Sequence, residues 1–300
     1  MDFRKKIDRK RIVNWIINSV FYIVIVGCIF LVLQIFCYST FKIPTDSMQP
    51  ALLPGDRIVV DKMTKGARLF NIYAALEGKK IDINRVPGFG EFKRNDVLVF
   101  NFPYAPHKWD SIAFDVLRYY VKRCIALPGD TLEIENGYFK VRGYSGKLGN
   151  LESQKLIAML PDTGAVHGIE RHTYPWKEGW NWDIKRFGPL PVPKRGQVVR
   201  MNKITAALYQ QLIDWEQGKR MKVRGDSVWL GDDPLRYYRF KENYYFVAGD
   251  KAANSQDSRY WGLLPEPFIV GKAILIWKSE DPLNGKIRWE RIFKTVNDGI

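Results

Sequence analysis

The sequence predicts a mostly β fold behind one N-terminal transmembrane helix, with a second β-rich region inserted into the first. Three observations carry that expectation. Residues 12–41 hold no charge and Val20 to Cys37 is almost wholly apolar; a helix of about 20 such residues spans roughly 30 Å of hydrocarbon. Beyond it, short runs rich in β-branched and aromatic residues, among them Arg57–Asp61, Asp96–Phe102 and Tyr119–Ala126, are bounded by proline, glycine and aspartate, which is the pattern of strands between turns. One later stretch, residues 202–220, has helical spacing instead.

Composition narrows the function classes. With 300 residues and 46% hydrophobic content, the chain has room for one large domain or two modest ones behind an anchor. The formal net charge of +15 permits nucleic acid or an anionic membrane surface as a partner. No basic helix, zinc spacing or aromatic RNA-binding signature favours nucleic acid, so membrane lipid is the expected partner. Cys28 and Cys37 lie in the apolar run and leave only Cys124 beyond it, so no disulfide framework is available. Neither a CxxC pair nor a Cys/His cluster suggests a metal, and no cofactor is expected. His107, His167 and His172 stand in polar, loop-like contexts and are expected to be exposed.

The N-terminal segment, residues 1–11, is basic: Arg4, Lys5, Lys6, Arg9, Lys10 and Arg11 stand against Asp2 and Asp8. The positive-inside rule puts it in the cytoplasm and everything after residue 41 across the membrane. The apolar run exceeds the core of a cleavable signal, and no small-x-small site follows it, so 12–41 is expected to be a retained anchor. Nine residues separate Cys37 from Ser47 and reach no further than about 35 Å, which tethers Ser47 near the outer face of the bilayer. Pro44 and Pro50 bracket that serine. On its own residues Ile43–Pro50 is either a rigid turn presenting one hydroxyl or an ordinary surface turn.

The strand Arg57–Asp61 follows the turn Pro54-Gly55-Asp56. Residues 64–86 are expected to be a connection, Asp96–Phe102 a strand ended by Pro103, and 104–116 a loop or short helix. In the strand Tyr119–Ala126, alternation puts Tyr120, Lys122 and Cys124 on one face. Lys122 then either faces solvent, as strand lysines ordinarily do, or points inward, where desolvation lowers its pKa and offers a neutral amine as a general base. Thr131–Val141 is expected to be a hairpin turning at Asn136-Gly137. In the helical stretch, Ile204, Leu208, Leu212 and Trp215 are expected on the packed face. Asn243–Ala248 is a strand. Asn254–Gly262 brings hydroxyls, amides and the pair Asp257 and Arg259 together, which suits a bracing network or a solvated loop. Phe268–Trp277 is a strand, and the last twenty residues are expected to be a polar tail.

Four segments in this order, Ile43–Pro50, Gly55–Lys62, Lys122–Asp130 and Gly249–Gly262, resemble the signature boxes of the bacterial type I signal peptidases (leader peptidases), membrane-anchored Ser/Lys serine proteases. The resemblance covers the anchor and the four boxes, and the intervening sequence much more weakly. It implies a signal-peptidase-like β catalytic domain made of 42–142 and 241–280, an inserted accessory β-rich region at 143–240, and a C-terminal tail at 281–300. It also implies a single-pass protein of the bacterial inner membrane that removes signal peptides from exported preproteins, cutting after small-x-small sites. By the same resemblance Ser47 is the nucleophile and Lys122 the general base, acting through an acyl-enzyme. The Ser47 backbone N–H and the Thr45 hydroxyl form the oxyanion hole. Ser255 hydrogen-bonds and orients the lysine amine, while Asp257 and Arg259 brace the loop that carries Ser255. The sequence departs from the family pattern at Lys251-Ala252, where Asn-Arg is usual, and at Ala126, where Gly is usual.

Three alternatives stay open on the residues alone. One is a different Ser/Lys protease, such as a plasmid-transfer pilin peptidase; a self-cleaving repressor would lack the membrane span. Another is a membrane-tethered noncatalytic binding protein of the same fold. The third, a nucleic-acid binder, has only the basic charge behind it. Oligomeric state is not legible.

Overall fold

The computed structural model describes residues 9–79, 81–105, 108–177 and 179–297; His107 and the basic residues of 1–8 lie outside the described residues. Helix α1 (Arg9–Phe36) exposes apolar side chains all round, Trp15, Ile23 and Val26 among them. A helix with no polar face has nothing to turn to water, and this one is long and apolar enough to cross a membrane. It fits a membrane-anchored protein.

The main sheet begins directly after it. β1 (Tyr38–Lys42) pairs antiparallel with β2 (Asp56–Asp61). Lys62, just past β2, donates its ammonium to the Ile35 carbonyl at 2.8 Å, satisfying one of the carbonyls that a helix C-terminus leaves without a partner. The expected connection holds two short strands, β3 (Arg68–Leu69) and β4 (Asn84–Arg85), around α2 (Ile72–Leu76). β5 (Val97–Asn101) follows. Residues 104–116 are neither loop nor helix throughout: β6 (Tyr104–Ala105) and β7 (Lys108–Ile112) pair as a hairpin, too short for its alternation to show in the sequence. β8 (Tyr119–Ala126) returns to the main sheet.

β9 (Thr131–Glu135) and β10 (Tyr138–Val141) form the expected hairpin. Its turn residues Asn136 (φ 49°) and Gly137 (φ 84°) are both left-handed, as a two-residue turn between right-twisted strands requires. The inserted region then runs through α3 (Leu151–Ala158), β11 (Phe187–Pro191), β12 (Val198–Arg200), α4 (Lys203–Gln217), β13 (Met221–Arg224), β14 (Ser227–Leu230), β15 (Asp233–Pro234) and β16 (Tyr237–Arg239). A capping box between Asn202 and Thr205 starts α4. Its buried stripe runs through Leu208, Tyr209, Leu212 and Ile213, and this turns Ile204 outward, contrary to expectation. β17 (Tyr244–Ala248), α5 (Ser258–Trp261), β18 (Leu264–Pro265) and β19 (Ile269–Ser279) end the fold.

The main sheet has the order β1-β2-β19-β5-β8-β17-β18, every neighbouring pair antiparallel. Both of its faces are covered, so every residue of β5 and of β17 is buried. Val97 and Val99 pack with Ile43, Met48, Leu52, Ile58 and Val60 on one face, while Leu98 and Phe100 pack with Val247, Trp261 and Phe268 on the other. A third core joins Ile125 and Phe246 of this sheet and Leu132 of the hairpin to Leu190, Leu212 and Tyr238 of the inserted region. The segment expected to be a polar tail packs back along β19. Val296 is buried beside Ile276, and Arg291 Nη2 donates to the buried Asp56 carboxylate at 2.6 Å, which also accepts the Ser279 hydroxyl at 2.6 Å. Val296 is buried while the nearby Phe293 and Trp289 are exposed, so the apolar residues of this segment follow no strand or helix period that would have signalled the packing.

Candidate active site

The serine loop is pinned from beneath. The Ile43 N–H donates to Asp56 O and the Gly55 N–H to Ile43 O, each at 2.8 Å, and Ile43, Met48 and Leu52 are buried in the core. The same turn leaves Thr45 exposed and Ser47 half-buried. Of the two readings of Ile43–Pro50, the anchored turn is the one found.

Lys122 of β8 is 3% exposed, and its Nζ donates to Ser47 Oγ at 2.6 Å across 75 residues of sequence. Burial pulls the lysine pKa down from its ordinary value to about 8; Asp257, Asp250 and Asp46 pull upward against that, and Arg259 pushes further down. At such a value the neutral amine is populated near neutral pH, and in that form the bond reverses, the hydroxyl donating to the nitrogen lone pair. Alternation is not the whole reason Lys122 points inward. Arg123, on the opposite face of β8, is fully buried as well, because the sheet is covered on both sides.

The segment after β17 forms the other wall. Gly249 lies against it so closely that a Cβ would meet Ser255 Oγ at 2.2 Å and the Ser47 carbonyl oxygen at 2.6 Å, so only glycine fits there. Asp257 and Arg259 are both buried and paired through two parallel bonds, Nε to Oδ1 and Nη2 to Oδ2, each 2.8 Å. The Gly249 N–H also donates to Asp257 at 3.0 Å, and Arg259 Nη2 donates to Ala252 O at 2.8 Å, so the pair closes the 249–259 segment on itself. Burial alone would raise the Asp257 pKa; the Arg259 charge and the Gly249 N–H outweigh it and hold the carboxyl below its ordinary value. Ser255 is buried next to Gly249, but the expected bond to the lysine amine is not formed, and its Oγ has no hydrogen-bond partner among the described residues. The Thr45 hydroxyl likewise makes no hydrogen bond to a described residue. It lies on the rim of a cavity of about 380 Å³ that runs beside Ser47 and Lys122 and is lined by Ile43, Met48, Tyr120 and Val121.

Two pairs were not foreseen from the sequence. Arg123 clasps Asp250 through two bonds of 2.6 Å, both side chains buried, and donates further to Asn95 O at 2.7 Å. Each stands next to a residue singled out in the sequence, Lys122 and Gly249, and an unassigned charge of opposite sign in each of those two boxes was the available hint. Lys251 pairs with Asp46, and its backbone N–H donates to Ser47 O at 3.0 Å; nothing local in the sequence links residues so far apart. His167 and His172 are exposed and far from this role. No cluster of His, Cys, Asp or Glu able to hold a metal occurs among the described residues.

Known proteins resemble this chain over most of its length. The family described as signal peptidase, peptidase S26, matches residues 12–278. The chain is 29% identical to the signal peptidase I of Pseudomonas aeruginosa over 84% of its length and 68% of the relative's. It is 26% identical to that of Aquifex aeolicus, covering 80% of the chain and 76% of the relative, and 24% identical to that of Helicobacter pylori, covering 90% of each. A match running from the anchor through the last strand of the sheet takes in every wall of the site, and the chain belongs to the signal peptidase family, peptidase S26, whose members are serine peptidases.

Proposed function

We propose that this chain removes signal peptides from exported preproteins with Ser47 as nucleophile and Lys122 as general base. Ser47 Oγ attacks the scissile carbonyl while the neutral amine of Lys122 takes the hydroxyl proton. The resulting ammonium gives that proton to the departing amine, and an ester to Ser47 remains. Water, deprotonated by the same lysine, then hydrolyses the ester and frees Ser47. The Ser47 N–H and the exposed, unpartnered Thr45 hydroxyl donate to the oxyanion; loss of one such donor costs roughly 10²–10³ in rate. Ser255 orients the amine once the Ser47 bond is released, and Asp257 with Arg259 holds the Ser255 segment in place.

The apolar cavity beside the pair suits small side chains one and three residues before the cut. Residues 42–142 and 241–280, with 281–300 packed back on them, make the catalytic domain, and 143–240 is accessory. The N-terminus is cytoplasmic, and Ser47 works at the outer lipid surface of the cytoplasmic membrane. The observation that carries the reading is the 2.6 Å contact between a serine hydroxyl and an almost fully buried lysine, because it sets a nucleophile against a base within proton-transfer distance. Cleavage of a preprotein bearing an Ala-x-Ala site by the detergent-solubilised protein tests it. Wild type should cut at that site and Ser47→Ala and Lys122→Ala should not; full activity in either variant contradicts the assignment.

A further inference from the structure

Charges on two elements act on the buried amine of Lys122. Asp250, Asp257 and Arg259 come from the segment after β17, and Asp46 comes from the serine loop. Its partner across the sheet in β5, Leu98, is apolar, and Arg123 points to the opposite face. Asp257 is matched by Arg259 and Asp250 by Arg123, in buried two-bond pairs. Asp46 is matched differently. It directly precedes the nucleophile, and its carboxylate is held by the Lys251 ammonium and by Asn254 Nδ2 at 3.2 and 3.3 Å.

That pair is open to water, with side-chain exposures of 40% for Lys251 and 35% for Asp46. Ion pairs so exposed add little to stability, so folding gives no reason for it. Its position does. An unmatched carboxylate beside Ser47 would stabilise the ammonium form of Lys122 and deplete the neutral base.

We propose that Lys251 is a charge-neutralising positioning residue for the Ser47–Lys122 pair: it holds the Asp46 carboxylate matched and turned to the 249–255 segment, so that the charge beside the nucleophile does not keep the base protonated. This rests on the roles of Ser47 and Lys122 given above. The backbone bond from Lys251 N–H to Ser47 O survives any side-chain replacement, so Lys251→Met removes the charge while leaving the loop tied.

The test is the pH dependence of kcat/KM for preprotein cleavage in wild type, Lys251→Met, Lys251→Arg and the double variant Asp46→Asn/Lys251→Met, with Lys122→Ala alongside. Lys251→Met should move the midpoint of the ascending limb to higher pH by about half a unit, a loss of about threefold below the midpoint that vanishes on the alkaline plateau. Lys251→Arg should keep the wild-type profile, and removing Asp46 as well should bring the midpoint back to the wild-type value or below it. A Lys251→Met enzyme that loses activity equally at every pH, or that keeps the wild-type midpoint, overturns the proposal while Lys122→Ala remains inactive. Cleavage by Lys122→Ala would instead sink the reading of the pair, and the proposal with it.

Discussion

Replacing Gly249 with alanine should separate folding from catalysis more sharply than any change at the reacting groups. An added Cβ lies 2.2 Å from Ser255 Oγ, 2.6 Å from Ser255 Cβ and 2.6 Å from the Ser47 carbonyl oxygen. Comfortable separations are about 3.5 Å or more, so the neighbours must retreat by about 1 Å. The Ser255 hydroxyl relieves its share by rotating, but its Cβ and the Ser47 carbonyl move only with their backbones, and that carbonyl is held by the Lys251 N–H at 3.0 Å. Overpacking of this size costs about 1–3 kcal/mol, while a displacement of about 1 Å at the nucleophile costs on the order of 10²-fold in rate. The expectation is a folded enzyme, a few degrees less stable to heat, that cleaves preprotein about a hundredfold more slowly. Gly90→Ala is the control, since its Cβ would meet only Thr64 Cγ2 at 3.9 Å and should change neither property. A Gly249→Ala enzyme with kcat within about twofold of wild type would refute the claim that this contact sets the position of Ser47.

Two further substitutions probe the frame around the site. Arg123→Met leaves the Asp250 carboxylate buried without its cation and should cost about 3–5 kcal/mol, seen as a lower midpoint in thermal unfolding; adding Asp250→Leu should recover part of the loss, and a further drop would contradict the pairing. Arg291→Met strips the buried Asp56 of the nearer of its two guanidinium partners, Arg288 standing at 3.9 Å, and should cost about 1–3 kcal/mol, whereas a tail that merely trails from β19 would lose nothing measurable.

The fold was readable wherever one segment carried its own signal. β5, β8, β17 and β19 announced themselves through runs of branched and aromatic residues, and the hairpin at Asn136-Gly137 through the two residues able to take left-handed backbone. What could not be read depended on partners far away in the chain. The β6–β7 hairpin is too short for a period, α3 buries the polar Gln154 along with Ile157, and Val296 reaches its core on a chain held back by backbone bonds to β19 and by the Arg291–Asp56 pair. At the site, alternation along β8 brought Lys122 inward, yet it would have left Arg123 in water; the covered sheet buries both, and the cation of Arg123 is met by Asp250 from across the fold. The pairing of Asp46 with Lys251 joins a turn to a loop 205 residues on, and no local spacing predicts that. The expected Ser255–lysine bond shows the converse. A residue type in a loop identifies a hydroxyl at the site but not which way it turns.

The central claim is that a neutral lysine is the base, and the pH dependence of kcat/KM for wild-type cleavage tests it most directly, because that profile reports the ionisation of the free enzyme. The Lys122 amine titrates near 8 and acts only when unprotonated, so activity must fall as pH drops through that value. About a tenth of the enzyme is competent at pH 7, with a further tenfold loss per unit below it. The account predicts an ascending limb of unit slope with its midpoint near 8. A profile flat from pH 6 to 9, or a midpoint near 6.5 as a histidine base would give, would contradict it.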